Sequence, residues 1–136
     1  MYNFLNIFFF VFHSSLILFI IFGWIWKKTR VANLAVILLT TFSWVFLGIW
    51  YGFGFCPSTE WHWQVRMKLG YYDMPNSYTK FLADTLTGLE TNQKIVDIFA
   101  VLFLTLSLFA SAITNGRDLR KRATAKKKEK SIELSL

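Results

Sequence analysis

Charge is missing from two of the three longest apolar runs in this sequence. Residues 4–26 and 31–56 contain no Asp, Glu, Lys or Arg, and residues 95–114 contain only Asp97. A bilayer core of roughly 30 Å needs about 20 helical residues at ~1.5 Å each, and all three runs are that long. Cysteine is nearly missing too. The lone Cys56 excludes an internal disulfide and any CxxC chemistry. No Gly-rich phosphate loop, Ser–His–Asp set or HExxH motif is present. Before the first run there is no basic n-region, and after it comes Trp24-Ile25-Trp26-Lys27-Lys28 in place of a small-residue cleavage site, so this run reads as a retained span.

What is present fits that frame. Hydrophobic residues make up 54% of the chain and aromatics 19%, too much for a soluble domain carrying one surface helix. The net charge of +7 does not point to nucleic acid, because eight of the fifteen Lys and Arg follow residue 116 and three more lie in Lys27-Lys28-Thr29-Arg30. Basic residues bunched beside spans set topology. With three spans, the side holding residues 27–30 and the tail has eleven Lys and Arg, and the other side has Arg66, Lys68, Lys80 and Lys94. The expectation is a multi-pass protein of the inner (plasma) membrane, N-terminus outside and C-terminus cytoplasmic.

The expected fold is all-α. Residues 1–116 form a bundle with spans at about 4–26, 31–55 and 94–114, and residues 117–136 form a basic cytoplasmic tail. Trp24 and Trp26 are placed at one interface, and the short turn after them makes the first two helices antiparallel neighbours. The second helix runs into Gly52, Gly54 and Pro57, which loosen and then end it. Residues 57–93 read as two short amphipathic helices capping the outer face. Ser58 or Thr59 caps the first, with Trp61, Val65 and Leu69 on one face; Ser77 caps the second, with Tyr78, Phe81, Leu82, Leu86 and Leu89 on one face. Asn92 or Thr91 caps the third span, and Asn115-Gly116 ends it, with the tail continuing as a helix that frays.

Few residues could carry chemistry. His13 falls about nine residues, or ~14 Å, inside the outer end of the first helix, where an ionisable group faces protein or water. It is a relay or ligand candidate, or a neutral histidine bonded to Ser43 or Thr105 at similar depth. Asp97 lies one turn into the third span, where free N–H groups and the helix dipole favour a carboxylate; a polar cluster with His13 or residues 57–69 is the alternative. Cys56, Glu60, His62 and Arg66 gather a thiol, carboxylate, imidazole and guanidinium at the mouth of the bundle. Cys and His are copper or zinc ligands, but Cys-x5-His is no recognised metal spacing, and no third group orients a Cys–His nucleophile. The plainer reading pairs Arg66 with Glu60 or lipid phosphate. The tail can grip anionic lipid or act only as a stop-transfer signal.

Phe12-His13, Gly23, Ser43-Trp44, Cys56-Pro57-Ser58-Thr59, Arg66 and Leu69-Gly70 together resemble the DUF2784 family of small bacterial membrane proteins of unknown function. The likeness covers roughly residues 8–113 and excludes the tail; Ser58 stands where that family commonly has Leu. It implies an inner-membrane protein, marks His13 and Cys56 for testing, and supplies no cofactor or substrate.

Three functions compete. The first is a non-enzymatic membrane protein with a structural, assembly or partner-binding role, acting with a membrane protein partner or as a homo-oligomer and using no cofactor. The second is a metal- or haem-handling redox protein using His13, Cys56 and His62. The third is an oligomeric transporter or proton-conducting subunit.

Overall fold

The computed structural model describes the whole chain, Met1–Leu136, and it is all-helical. Three helices are long and apolar enough to cross a membrane: Tyr2–Phe22, Arg30–Tyr51 and Gln93–Ser135.

Helix α1 (Tyr2–Phe22) ends four residues before the expected Trp26. Gly23 is the last residue in the helical pattern, its N–H closing on the Phe19 carbonyl, and the chain then turns. The carbonyls that a helix end leaves unpaired are taken up by the turn itself. Trp24 Nε1 donates to Ile21 O at 2.7 Å, Thr29 Oγ1 to Gly23 O at 2.6 Å, and Arg30 Nε to Trp24 O at 3.0 Å.

The second span is α2 (Arg30–Phe42), a π-helical turn at Ser43–Leu47, and a last turn, α3 (Gly48–Tyr51). It stops short of residue 55 because Gly52 (φ 102°) and Gly54 (φ 82°) adopt left-handed conformations that reverse the chain. The reversed segment runs back along the span it has just left. Ser43 Oγ donates to Phe55 O at 3.0 Å, and the Phe53 backbone passes so close to Gly48 that a Cβ there would touch it.

Helix α4 (Pro57–Lys68) therefore starts below the end of the second span. Its cap is Cys56, not Ser58 or Thr59, and no cap side chain bonds the helix. Pro57 in the first turn lacks the N–H that would otherwise go unpaired. The covered face also differs from expectation. Thr59, His62 and Trp63 are buried and Trp61 is 59% exposed, because the surface that α4 meets on α1 offers Asn6 and His13 as partners rather than an apolar stripe. Ser58 contacts His13 while His62 contacts Asn6, so α4 climbs antiparallel to α1. The first of the two short helices thus sits beside the N-terminal half of α1, reaching down to the level of His13.

Helix α5 (Tyr78–Thr87) is capped by Ser77, whose Oγ accepts from Lys80 N, and it ends at Gly88 in the left-handed conformation. Only its first half is covered by protein: Tyr78 is buried, whereas Leu86 and Leu89 are exposed. Helix α6 (Gln93–Ser135) begins at Asn92, which accepts from Lys94 N as expected. It does not stop at Asn115–Gly116. Asn115 is buried and donates to Arg30 O at 3.0 Å and Ser111 O at 2.8 Å, so the residue expected to end the helix ties it to α2. The helix then continues through the basic tail to Ser135.

Candidate binding site at the fold-back

Where α4 and α5 fold back against α1, aromatic and polar side chains from four elements interlock. His13 stacks on Tyr78 with ring centroids 4.0 Å apart and planes 13° from parallel. Its Nδ1 lies 3.3 Å from Ser58 Oγ, which lies 3.1 Å from Cys56 Sγ. His13 is thus satisfied by the fold-back. The other expected partners are engaged elsewhere: Ser43 donates to Phe55 O, and Thr105 to the Val101 carbonyl of its own helix. Tyr78 Oη donates to Phe10 O at 3.0 Å and lies 3.1 Å from Ser14 Oγ, so α5 is pinned to α1 on both sides of His13's turn.

His62 is fully buried on the inner face of α4, among Phe9, Trp63, Tyr78 and Phe81. Its Nε2 is 2.8 Å from Asn6 Oδ1, an acceptor, which assigns the proton to Nε2 and leaves Nδ1 as a lone pair without a partner. Burial, then the neighbouring Arg66 charge, then His13, push its pKa from the ordinary 6.5 down to about 4. Arg66 pairs with neither Glu60 nor any other acid. Its guanidinium sits over the rings of Tyr71 and Phe81, 4.4 and 4.7 Å from their centroids. Glu60 accepts from Gln64 one turn along and stays on the exposed side of α4.

Asp97 belongs to a second polar group. Its Oδ1 accepts from Ser77 Oγ at 3.1 Å and Gln93 Nε2 at 2.7 Å, joining the cap of α5 to the first turns of α6. The alternative of a polar cluster with His13 or residues 57–69 finds no direct hydrogen bond, because Asp97 bonds Ser77 and Gln93 instead. Further along α5, Asp84 accepts from Lys80 and from the Thr91 N–H and hydroxyl, and these bonds hold its pKa down at about 2.

Between these two groups lies a cavity of about 240 Å³. At its polar end it is bordered by His13, Cys56, Thr59, Ser77, Tyr78 and Asp97. The remaining wall is mainly apolar, with Ile17, Ile20, Trp44, Phe53, Phe99 and Phe103 among its members. Cys56 and His13 meet through Ser58, but His62 bonds Asn6 instead, and no three His, Cys, Asp or Glu side chains converge as metal ligands.

Sequence reasoning found His13, Cys56, His62 and Asp97 but missed Tyr78, Ser77 and Asn6 as their partners. Ser77 was legible as a cap only. Tyr78 was legible only as part of a helix face, and nothing local marks its partner Ser14, 64 residues away.

The fold and the site define a class first: an all-helical protein with three helices fit to span a membrane and a polar fold-back built against the first. The chain belongs to the DUF2784 family, described as a protein of unknown function, which matches residues 3–115. No curated protein and no solved structure matches it.

Proposed function

We propose that this is a non-enzymatic protein of the inner (plasma) membrane that binds a partner within the bilayer, at the cavity beside the fold-back. One observation carries the reading. The cavity joins a mainly apolar wall to a polar end assembled from α1, the 52–59 turn, the start of α5 and α6. Ligand sites are built in this way, apolar for affinity with a few placed polar groups for orientation. The count of eleven basic residues against four supports an N-terminus outside and a cytoplasmic tail. Tags on the two termini should then report opposite compartments.

Native mass spectrometry of protein extracted in mild detergent tests the reading. Wild type should carry a hydrophobic small molecule at roughly one per chain. Ala100→Phe, which fills the cavity wall, should lose it while melting no lower than wild type. Retention of nothing by either protein contradicts the proposal, and a stoichiometric metal or a haem absorption band would replace it with the redox reading.

A further inference from the structure

We infer that the cavity selects a single-chain amphiphile whose head donates hydrogen bonds, an amine or an alcohol, and rejects anionic heads such as carboxylates and phosphates. This rests on the reading of the cavity as a binding seat and adds to it the chemistry of the head group.

The argument runs through the groups left over at the polar end. Both bonds to Asp97 fall on Oδ1, so Oδ2 has no partner in the protein. His13 uses only Nδ1, leaving Nε2 likewise without one. Tyr78 spends its hydroxyl proton on Phe10 O, and Ser77 spends its own on Asp97. Asp97 Oδ2 is therefore the free acceptor at this end, beside His13 Nε2, which donates or accepts according to its tautomer. Charge points the same way. Asp97 is the one acidic residue in the lining, and no Lys or Arg borders the cavity. Of the nearby cations, Arg66 is committed to the rings of Tyr71 and Phe81 and Lys80 to Asp84, while Lys94 is exposed and does not line the cavity. An anionic head would meet a carboxylate with no compensating cation, whereas an ammonium or hydroxyl would complete Oδ2. Beyond the head, Ile17, Ile20, Phe99 and Phe103 offer only apolar contact, which suits one acyl or alkyl chain.

The test uses purified full-length protein in lipid nanodiscs, with photoreactive dodecyl probes bearing an amine, an alcohol or a carboxylate, and peptide mapping of the labelled sites. At pH 7 the amine and alcohol should label the walls at residues 16–21 and 99–104, competed by their unreactive analogues. The carboxylate should label at least about tenfold less, the penalty of opposing like charges. Asp97→Asn should lower amine labelling about tenfold, raise carboxylate labelling, and leave the alcohol within about threefold. If Asp97→Asn does not fold, the wild-type ranking alone decides. Equal labelling by all three heads would overturn the head-group inference and leave the binding seat standing. Absence of any competed labelling in the cavity would overturn both.

Discussion

At the end of the bundle that holds the α1–α2 turn, helices meet through short side chains that donate to a neighbouring backbone. Asn33 Nδ2 donates to Phe19 O at 2.6 Å, Asn115 to Arg30 O, and Ser107, Ser111 and Asn115 line one buried face of α6. Three of the four most completely buried side chains, Ile37, Asn33 and Ser111, are here. Arg30 closes this end with two bonds to Asp118 at 2.9 and 3.0 Å. At the other end, contact is made mainly by rings and by side chain on side chain, with Tyr78 alone reaching an α1 carbonyl, and a cavity of about 240 Å³ lies beside the joint. The difference follows from what is inserted. Small residues let spanning helices approach until backbones are within reach. The fold-back instead places Tyr78, Trp63 and Phe81 alongside α1, and stacked rings do not fill the space between α1 and α6 as interdigitated side chains would. One half is built for contact and the other encloses room.

That contrast predicts opposite responses to added volume. At Gly23 a Cβ would stand 2.5 Å from Phe19 O and 2.7 Å from Asn33 Nδ2. Gly23→Val should therefore destabilise by ~2–3 kcal/mol, the upper range for overpacking, seen as a lowered melting temperature in detergent. Ala100→Leu, in the cavity wall, should melt at or above wild type. Similar losses at both sites would erase the distinction.

The next effect is pH dependence from His62. Its pKa is lower in the folded protein than in the unfolded chain, so the unfolded state binds more protons between them. Stability is fully present above about 6.5 and falls as pH drops toward about 4, by at most about 3 kcal/mol. The contribution of Asp84 has the carboxylate sign and is lost only lower, as pH falls from the ordinary 3.8 toward about 2. His62→Gln, which can still donate to Asn6, should flatten the melting-temperature profile between pH 6.5 and 4 and leave the lower limb unchanged.

A smaller effect is expected at His13. His13→Gln keeps a partner for Ser58 and should melt close to wild type. His13→Leu leaves that hydroxyl only the weaker Cys56 Sγ contact and should cost roughly 0.6–2 kcal/mol, the range for bonds between membrane helices. Smallest of all is the tail. Every side chain from Lys121 to Leu136 is exposed, so truncation after Arg122 should leave the melting temperature unchanged.

How much of this was legible divides along the same line. The spans, the Ser77 and Asn92 caps and the position of His13 follow from hydropathy and local hydrogen-bonding chemistry, which act over a few residues. The seam at Ser107, Ser111 and Asn115 is also written locally, as polar residues four apart on one helix face, yet Asn115-Gly116 resembled a helix end because the same residues serve as caps. The site was only half legible. Cys56 and His62 stood out by type, but which way α4 faces is decided by Asn6 and His13, about fifty residues earlier. The depth of the fold-back depends on two left-handed glycines whose combined direction no periodicity encodes.

The central claim is that residues 52–68 double back, so that Ser58 sits level with His13 rather than at the N-terminal end of α1. Cross-linking with a short bifunctional thiol reagent in a Cys56→Ser background tests it directly. With cysteines at positions 13 and 58, whose native side chains stand 3.3 Å apart, the reagent spans the reach lost with the imidazole and should cross-link rapidly, as should the pair at positions 6 and 62. A pair at positions 6 and 58 should not. Rapid cross-linking of 6 to 58 with none between 13 and 58 would place the start of α4 at the N-terminal end of α1 and contradict the account.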